Sequence, residues 1–319
     1  MDPLDLAIYR SLSPGGEARF WAGRRIIDPR IPAREIAEGV GVSENGVRLR
    51  LQSLARRGFL RGTSVIPNPS LFGVRVYVAE LPVKEAGEVE RIYRDLELVE
   101  GVVFARDTLD EGERRVQVHF VSESDATAAR RTSLLSRLSG GRRLGAPRPY
   151  WIPPCETELT PLDWRFLRAV SQHPDATIAE TAKAVRVSLK TAARRYHHLL
   201  DAKACWWTHG PDSEEFPLAF LRLEVQDPAH RDAVSGMIRD AEIPWMPAAP
   251  DGFGLEPANT TTVVAGLVPA DAPTVLERMV RKLAALPGVV AVHRTFALGS
   301  MTYPAWFSEQ VARRVTERA

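Results

Sequence analysis

The stretch from Ser43 to Gly62, SENGVRLRLQSLARRGFLRG, decides how the chain reads. Val47, Leu51 and Leu54 recur at helical spacing, while Asn45, Arg48, Gln52 and Arg56 fall on the opposite side of the same helix. Ser43 is a natural N-cap and Gly58 a natural stop, because glycine enters the left-handed conformation that ends a helix at little cost. Phe59 to Val65 then reads as a strand returning against the helix. Upstream, Pro32 to Glu38 predicts a short helix opened by proline, followed by a tight turn at Gly39-Val40-Gly41-Val42. Short helix, turn and a second helix with a basic outer face make a helix-turn-helix. In that motif the second helix enters the DNA major groove.

Working outward, Asp2-Pro3-Leu4-Asp5 opens a helix with Leu4, Ile8 and Leu12 as its apolar stripe. Pro14 to Arg30 lacks clear periodicity and reads as an insertion over the small domain, with Arg24 and Arg25 as possible phosphate contacts. Ile66 to Gly73 is a rigid turn around Asn68-Pro69. Beyond it come a strand (Val74–Pro82), a helix (Lys84–Leu98), two strands (Gly101–Leu109 and Arg114–Ser122), a helix (Ser124–Leu138) and a last strand (Pro149–Ile152). The order βαββαβ folds into a four-stranded antiparallel sheet with both helices on one face.

The second half repeats the first. Thr160-Pro161-Leu162-Asp163 restates the opening device, Thr177-Ile178-Ala179-Glu180 is a capping box, and Val187-Ser188 corresponds to Val42-Ser43. The helix after Ser188 shows Lys190, Arg194 and His197 to solvent, with Arg195 on its flank. Lys203 stands where the first copy has its helix-ending glycine, and Cys205-Trp206-Trp207-Thr208 replaces the wing strand. The two tryptophans are expected to pack against the adjoining domain. A second βαββαβ follows: strand Phe216–Gln226, helix Pro228–Asp240, weak strand Ile243–Met246, loop Ala248–Pro257, strand Thr260–Val268, helix Ala272–Leu286 and strand Gly288–Leu298. An extra helix, Tyr303–Glu317, is expected to dock on a sheet. The fold class is therefore α+β, two winged helix-turn-helix domains (1–70 and 156–212) alternating with two ferredoxin-like domains (71–155 and 213–300), closed by residues 301–319.

At 319 residues with 45% hydrophobic content the chain supports several cored domains. No apolar run reaches ~18 residues and Met1 to Asp5 does not resemble a signal peptide, so a cytoplasmic protein without membrane contact is expected. A formal net charge of +2 does not by itself announce a nucleic-acid binder. Cys155 and Cys205 are too few and too separated for a disulfide framework or a cysteine zinc site.

The early Leu4-Asp5, the helix-turn-helix opened by Ser43, Arg50, the Gly58-Phe59-Leu60 ending, the Asn68-Pro69 turn and the following βαββαβ together resemble the Lrp/AsnC family of transcriptional regulators. The resemblance covers about residues 1–155 and thins in the second copy. It implies a DNA-binding head joined to a ferredoxin-like (RAM) domain that dimerises and often binds an amino acid or other small effector. Asp107 to Gly112 departs from the Thr-Gly-x-x-Asp-like turn usual there. Two such units in one chain imply an intramolecular pseudo-dimer, formed by burying the open faces of the two sheets, with further homo-oligomerisation through these domains open. Its partners would be double-stranded DNA and a small-molecule effector.

On that reading Asn45, Arg48 and Gln52 of the first head, and Lys190, Arg194 and His197 of the second, are the base readers. Ser43, Arg50, Arg56, Arg57, Arg61, Ser188, Arg195 and Lys203 are the phosphate contacts. No metal-ligand spacing, phosphate-binding glycine loop or nucleophile elbow appears, so no metal, cofactor or enzymatic activity is expected. One enzymatic alternative enters by resemblance: siroheme decarboxylases pair two units of this architecture and use histidine and arginine toward a carboxylated tetrapyrrole. Here His119 and His293 lie on expected strands, with Arg106 and Arg294 near strand ends. The Tyr-Asn-Leu-Trp-like strand of those enzymes is not visible in Arg114–Ser122. A protein-interaction module built on the same fold is the other alternative.

Overall fold

A computed structural model describes residues 2–13, 19–21, 24–85, 87–110, 112–155, 157–210, 218–227, 233–234, 254–255, 262–269 and 273–317. The first head opens with α1 (Pro3–Arg10), where the Asp2 carboxylate accepts from the Asp5 amide at 2.7 Å. In place of a featureless insertion, β1 (Arg19–Trp21) and β2 (Arg24–Ile27) form an antiparallel hairpin. α2 (Ala33–Val40) ends on Gly41 at φ 72°, and α3 (Glu44–Arg56) starts from Ser43, whose hydroxyl accepts from the Gly46 amide. Val47 and Leu54 are fully buried along the inner stripe. Gly58, at φ 82°, turns the chain out toward β3 (Arg61–Pro67). That strand begins two residues later than expected and takes in Ile66 and Pro67.

The first platform unit follows: β4 (Arg75–Val83), α4 (Gly87–Leu96), β5 (Val102–Asp110), β6 (Glu113–Ser122), α5 (Asp125–Leu138) and β7 (Arg148–Trp151). Its strands lie in the order β7-β4-β6-β5. Alternate residues Tyr77, Ala79 and Leu81 of β4 and Val116, Val118 and Phe120 of β6 pack under Ile92 and Leu96 of α4 and Ala128 and Leu135 of α5. This is the ferredoxin-like arrangement, which leaves the other face of the sheet free of its own helices.

The second head comprises α6 (Pro161–Gln172), α7 (Ile178–Val185), α8 (Leu189–Asp201) and β8 (Cys205–Gly210). Thr160 and Asp163, and again Thr177 and Glu180, form capping boxes. Where the first head turns on Gly41 and Gly58, this one holds Arg186 (φ 60°) and Lys203 (φ 54°) in the same left-handed region. A residue bearing a Cβ is strained there by roughly 1 kcal/mol.

The two heads share one sheet, ordered β1-β2-β8-β3, in which β8 of the second head lies between strands of the first. Asn68 locks this junction. Its buried side-chain amide donates to the carbonyls of Pro153 and Lys203, both at 2.8 Å, and its own amide donates to Ala204. The Asn-Pro turn is needed once, because it stitches both copies together. Trp206 packs toward the platform with Val76, Phe104 and Ile66, whereas Trp207 belongs to the core of its own head, beside Tyr196. The expectation for the pair is met by one tryptophan of the two.

In the second platform unit, β9 (Leu218–Val225), β11 (Thr262–Pro269), α9 (Pro273–Ala284) and β12 (Val289–Thr302) enclose a core of Leu221, Leu223, Leu276, Met279 and Leu283. Most of the expected helix at 228–240, and all of the strand at 243–246, lie outside the described residues. The expected loop at 248–257 contains a two-residue strand, β10 (Gly254–Leu255).

The platforms join by their edges, not by laying open faces together. β5, second strand of the first unit, pairs with β12, last strand of the second. β10, in the place of a second strand of the second unit, pairs with β7, last strand of the first. The two seams exchange roles, which is the signature of a twofold relation inside one chain. Pairing also removes exposed strand edges. It explains why β12 runs to Thr302, past its expected end at Leu298: residues 299–302 are the ones that pair with Phe104 to Asp107. Finally α10 (Ala305–Glu317) bridges layers, with Phe307 against Val76, Val103 and Phe104 of the sheet and Val311 in the second head's core with Phe166 and Leu167. Among the described residues no helix is long and apolar enough to cross a membrane.

Candidate functional site

Both second helices present their polar faces outward. In α3 the residues Asn45, Arg48, Gln52 and Arg56 are exposed, as are Lys190, Arg194 and His197 in α8. Asn45, Gln52, Arg56, Lys190 and Arg194 make no side-chain hydrogen bond or ion pair with another described residue. Arg48 is held by Glu44 one turn earlier, at 2.6 Å, in an exposed pair worth only a few tenths of a kcal/mol, so it exchanges partners easily. His197 leans on Tyr196 edge to face. Ser43 and Ser188 cap the two helices, and their hydroxyls accept from the Gly46 and Thr191 amides.

Three expected phosphate contacts have other work. Arg50 reaches both Asp2 and Asp5 at 2.7 Å, and Arg57 reaches Asp5 at 3.0 Å while its guanidinium lies over Phe59. Arg195 pairs with the fully buried Asp163 at 3.2 Å. Arg50 and Arg195 occupy equivalent positions in the two heads, as do Asp5 and Asp163, so the same tie from first helix to recognition helix is built twice. A carboxylate sunk in the core needs a cation beside it, and these arginines serve that need. Lys203 sits at the strained helix end. The side chains of Arg24, Arg25 and Arg61 lie outside the described residues.

A second polar constellation lies on the open face of the platform. β5 and β6 place Arg106 opposite Gln117, with His119 two residues further along the same face. The Arg106 Nη2 donates to Gln117 Oε1 at 2.7 Å, and His119 Nε2 stands 3.3 Å from the same oxygen. Phe104 and Tyr150 meet the His119 ring edge to face at 5.5 and 5.1 Å. From the second unit, the Phe220 ring lies 4.2 Å from the Arg106 guanidinium carbon. No carboxylate pairs with Arg106, and its Nε and Nη1, with His119 Nδ1, are buried without hydrogen-bond partners among the described residues. Burial pushes the Arg106 pKa down to about 10, so it remains charged at neutral pH. Burial, reinforced by Arg106 and Arg148, holds the His119 pKa well below its ordinary 6.5, so the imidazole is neutral there. A cation with unused donors beside a neutral base suits a carboxylate-bearing ligand.

The other expected pair is not part of this cluster. His293 stands 3.1 Å from Glu224 and Arg294 2.9 Å from Glu277. Gln117 and Tyr150 went unnoticed in the sequence, although period-two alternation puts Gln117 on the face of His119. Phe220 had no sequence signal, since only the seam between units brings it over Arg106. The described residues contain no group of three or more potential metal ligands.

A family model for winged helix-turn-helix DNA-binding domains matches residues 28–61, which contain α2 and α3. No curated protein sequence matches the chain. Among solved structures, the siroheme decarboxylase NirDL aligns over 99% of this chain and 99% of its own at 11% identity, with a TM-score of 0.51. The same enzyme in complex with an iron-uroporphyrin III analogue aligns over 98% and 100% at 12% identity, TM-score 0.50. E. coli AsnC covers half of this chain and 97% of its own at 16% identity, TM-score 0.30. The chain thus carries a winged helix-turn-helix in a tandem fold shared along its whole length with an enzyme. That finding overturns the expectation that enzymatic activity is absent: the same fold houses a decarboxylase, the alternative that the sequence also offers.

Proposed function

We propose that this chain is a cytoplasmic, sequence-specific DNA-binding regulator whose two unlike heads ride on one pseudo-dimeric platform, and that the platform takes a carboxylate-bearing small molecule. The carrying observation is the pair of exposed faces, Asn45-Arg48-Gln52-Arg56 and Lys190-Arg194-His197, with few partners among the described residues. Arginine suits guanine, and asparagine or glutamine suits adenine, each worth about 1–3 kcal/mol of discrimination. The faces differ, so the two half-sites differ. Tethering two heads raises the effective concentration of the second, letting individually weak contacts add up. The test is selection of bound fragments from genomic DNA with the full chain. Enrichment of a defined sequence is expected, with affinity falling steeply as salt rises. Arg48→Ala should relax preference at one half-site while leaving the fold intact. Recovery of no sequence would end this reading.

The buried Arg106–Gln117–His119 cluster favours a second reading, in which a carboxylated tetrapyrrole is a substrate. Arg106 would hold a side-chain carboxylate and neutral His119 would accept a proton beside it. Addition of siroheme to the full chain should then change its Soret-region spectrum, and Arg106→Met should abolish the change. A flat titration disposes of this reading and leaves the first untouched.

A further inference from the structure

We infer that each head reads a thymine through an exposed leucine, Leu49 in α3 and Leu189 in α8, by contact with the base's C5-methyl group. This rests on the DNA-binding reading above and extends it from hydrogen-bonding residues to an apolar one. On α3 Leu49 lies four residues after Asn45, three before Gln52 and seven before Arg56, all exposed, so it stands in the middle of a polar face. It is 55% exposed and belongs to none of the buried clusters, although Val47, Leu51 and Leu54 around it all turn inward. Helix propensity does not demand it, since glutamine, lysine and glutamate serve a surface position nearly as well.

Leu189 is 58% exposed at the first position of α8, immediately after the Ser188 cap and next to Lys190. The opening turn is where a recognition helix touches base edges. Only four large apolar side chains among the described residues are at least this open to solvent, Leu49, Leu98, Leu189 and Val290, and the two recognition helices hold one each. The major groove displays one apolar group, the thymine methyl, and it pairs with the adenine edge that asparagine and glutamine match. Leu49, with Asn45 and Gln52 one turn away on either side, fits an adenine–thymine step. A lone leucine ringed by amides and guanidinia is too small an apolar surface for a protein partner.

The experiment takes the site recovered by genomic selection and resynthesises it with deoxyuridine for thymidine, which removes the methyl and keeps every hydrogen-bonding edge. Wild-type protein should bind the uridine duplex about fourfold more weakly for each methyl that a leucine covers, the worth of one buried methyl. Leu49→Ala should bind the thymidine duplex about as weakly and cease to distinguish thymidine from uridine in its half-site, and Leu189→Ala should do so in the other. Far-UV circular dichroism and thermal melting of both variants should match wild type, since neither side chain is buried. Equal wild-type binding to both duplexes, or full discrimination retained by the alanine variants, would overturn the inference while leaving DNA binding in place. Absence of any selected site would overturn both.

Discussion

Replacing Arg106 by methionine should leave the free protein as stable as before or more so, which is the reverse of the usual result at a buried arginine. The guanidinium is largely buried, no carboxylate among the described residues pairs with it, and burial pulls its pKa down to about 10. At about 1.4 kcal/mol per tenfold change in acidity, holding the charge in that place costs about 3 kcal/mol. Against this stand the charge-assisted bond to Gln117 at 2.7 Å, about 1.5 kcal/mol, and the desolvated stacking over Phe220, about 1–2 kcal/mol. The two sides nearly cancel, and methionine fills the same slot with a flexible apolar chain. Urea unfolding of the full chain, followed by circular dichroism, should show a midpoint equal to or above that of wild type. A loss of about 2 kcal/mol or more would mean that the guanidinium is a structural tie. The view of Arg106 as a cation kept for a ligand would then be refuted.

Other expectations follow from single contacts. Arg195→Ala strands the fully buried Asp163 and should cost about 3 kcal/mol in thermal or urea unfolding; a change under about 0.5 kcal/mol would contradict the assigned role. Arg186→Gly and Lys203→Gly relieve left-handed strain and should each stabilise by about 0.5–1 kcal/mol, whereas destabilisation in either melt would refute the strain argument. Because the His119 pKa is depressed in the fold, the unfolded chain takes up its proton first. The imidazole's contribution is therefore intact above pH 6.5 and is lost as pH falls below it, by up to about 1.4 kcal/mol per pH unit. His119→Gln should flatten the decline in urea midpoint between pH 6.5 and 5, and an unchanged slope would argue against a buried neutral imidazole.

Local signals carried most of the architecture. Capping residues, helical stripes and period-two alternation act within a few positions, so Ser43, Thr177-Glu180 and the alternation of β4 announced their elements directly. The seams were hidden, because strand pairing between Phe104 and Thr302 depends on groups some two hundred positions apart. For the same reason Asn68 was legible as a turn but not as the knot between copies. The outer faces of α3 and α8 could be read from periodicity, whereas the fate of Arg50 and Arg195 could not. Whether a surface arginine faces a phosphate or a buried aspartate depends on which helix folds beneath it. Arg106 and His119 were visible as a pair of residue types on strands, and their burial and missing partners became evident only in three dimensions.

The Phe220 ring has two neighbours of different kinds. Its face lies on the Arg106 guanidinium, and it also packs against the cluster of Leu6, Tyr9, Leu54 and Phe59 that forms the underside of the first head. It works like a shim between a charged group and the core of the first head. Displacing the Arg106 guanidinium would remove one of the ring's two supports, and with it a contact of the helix bearing Leu54. The second head rests on α10 and Phe72, so such a displacement would bear on the first head before the second.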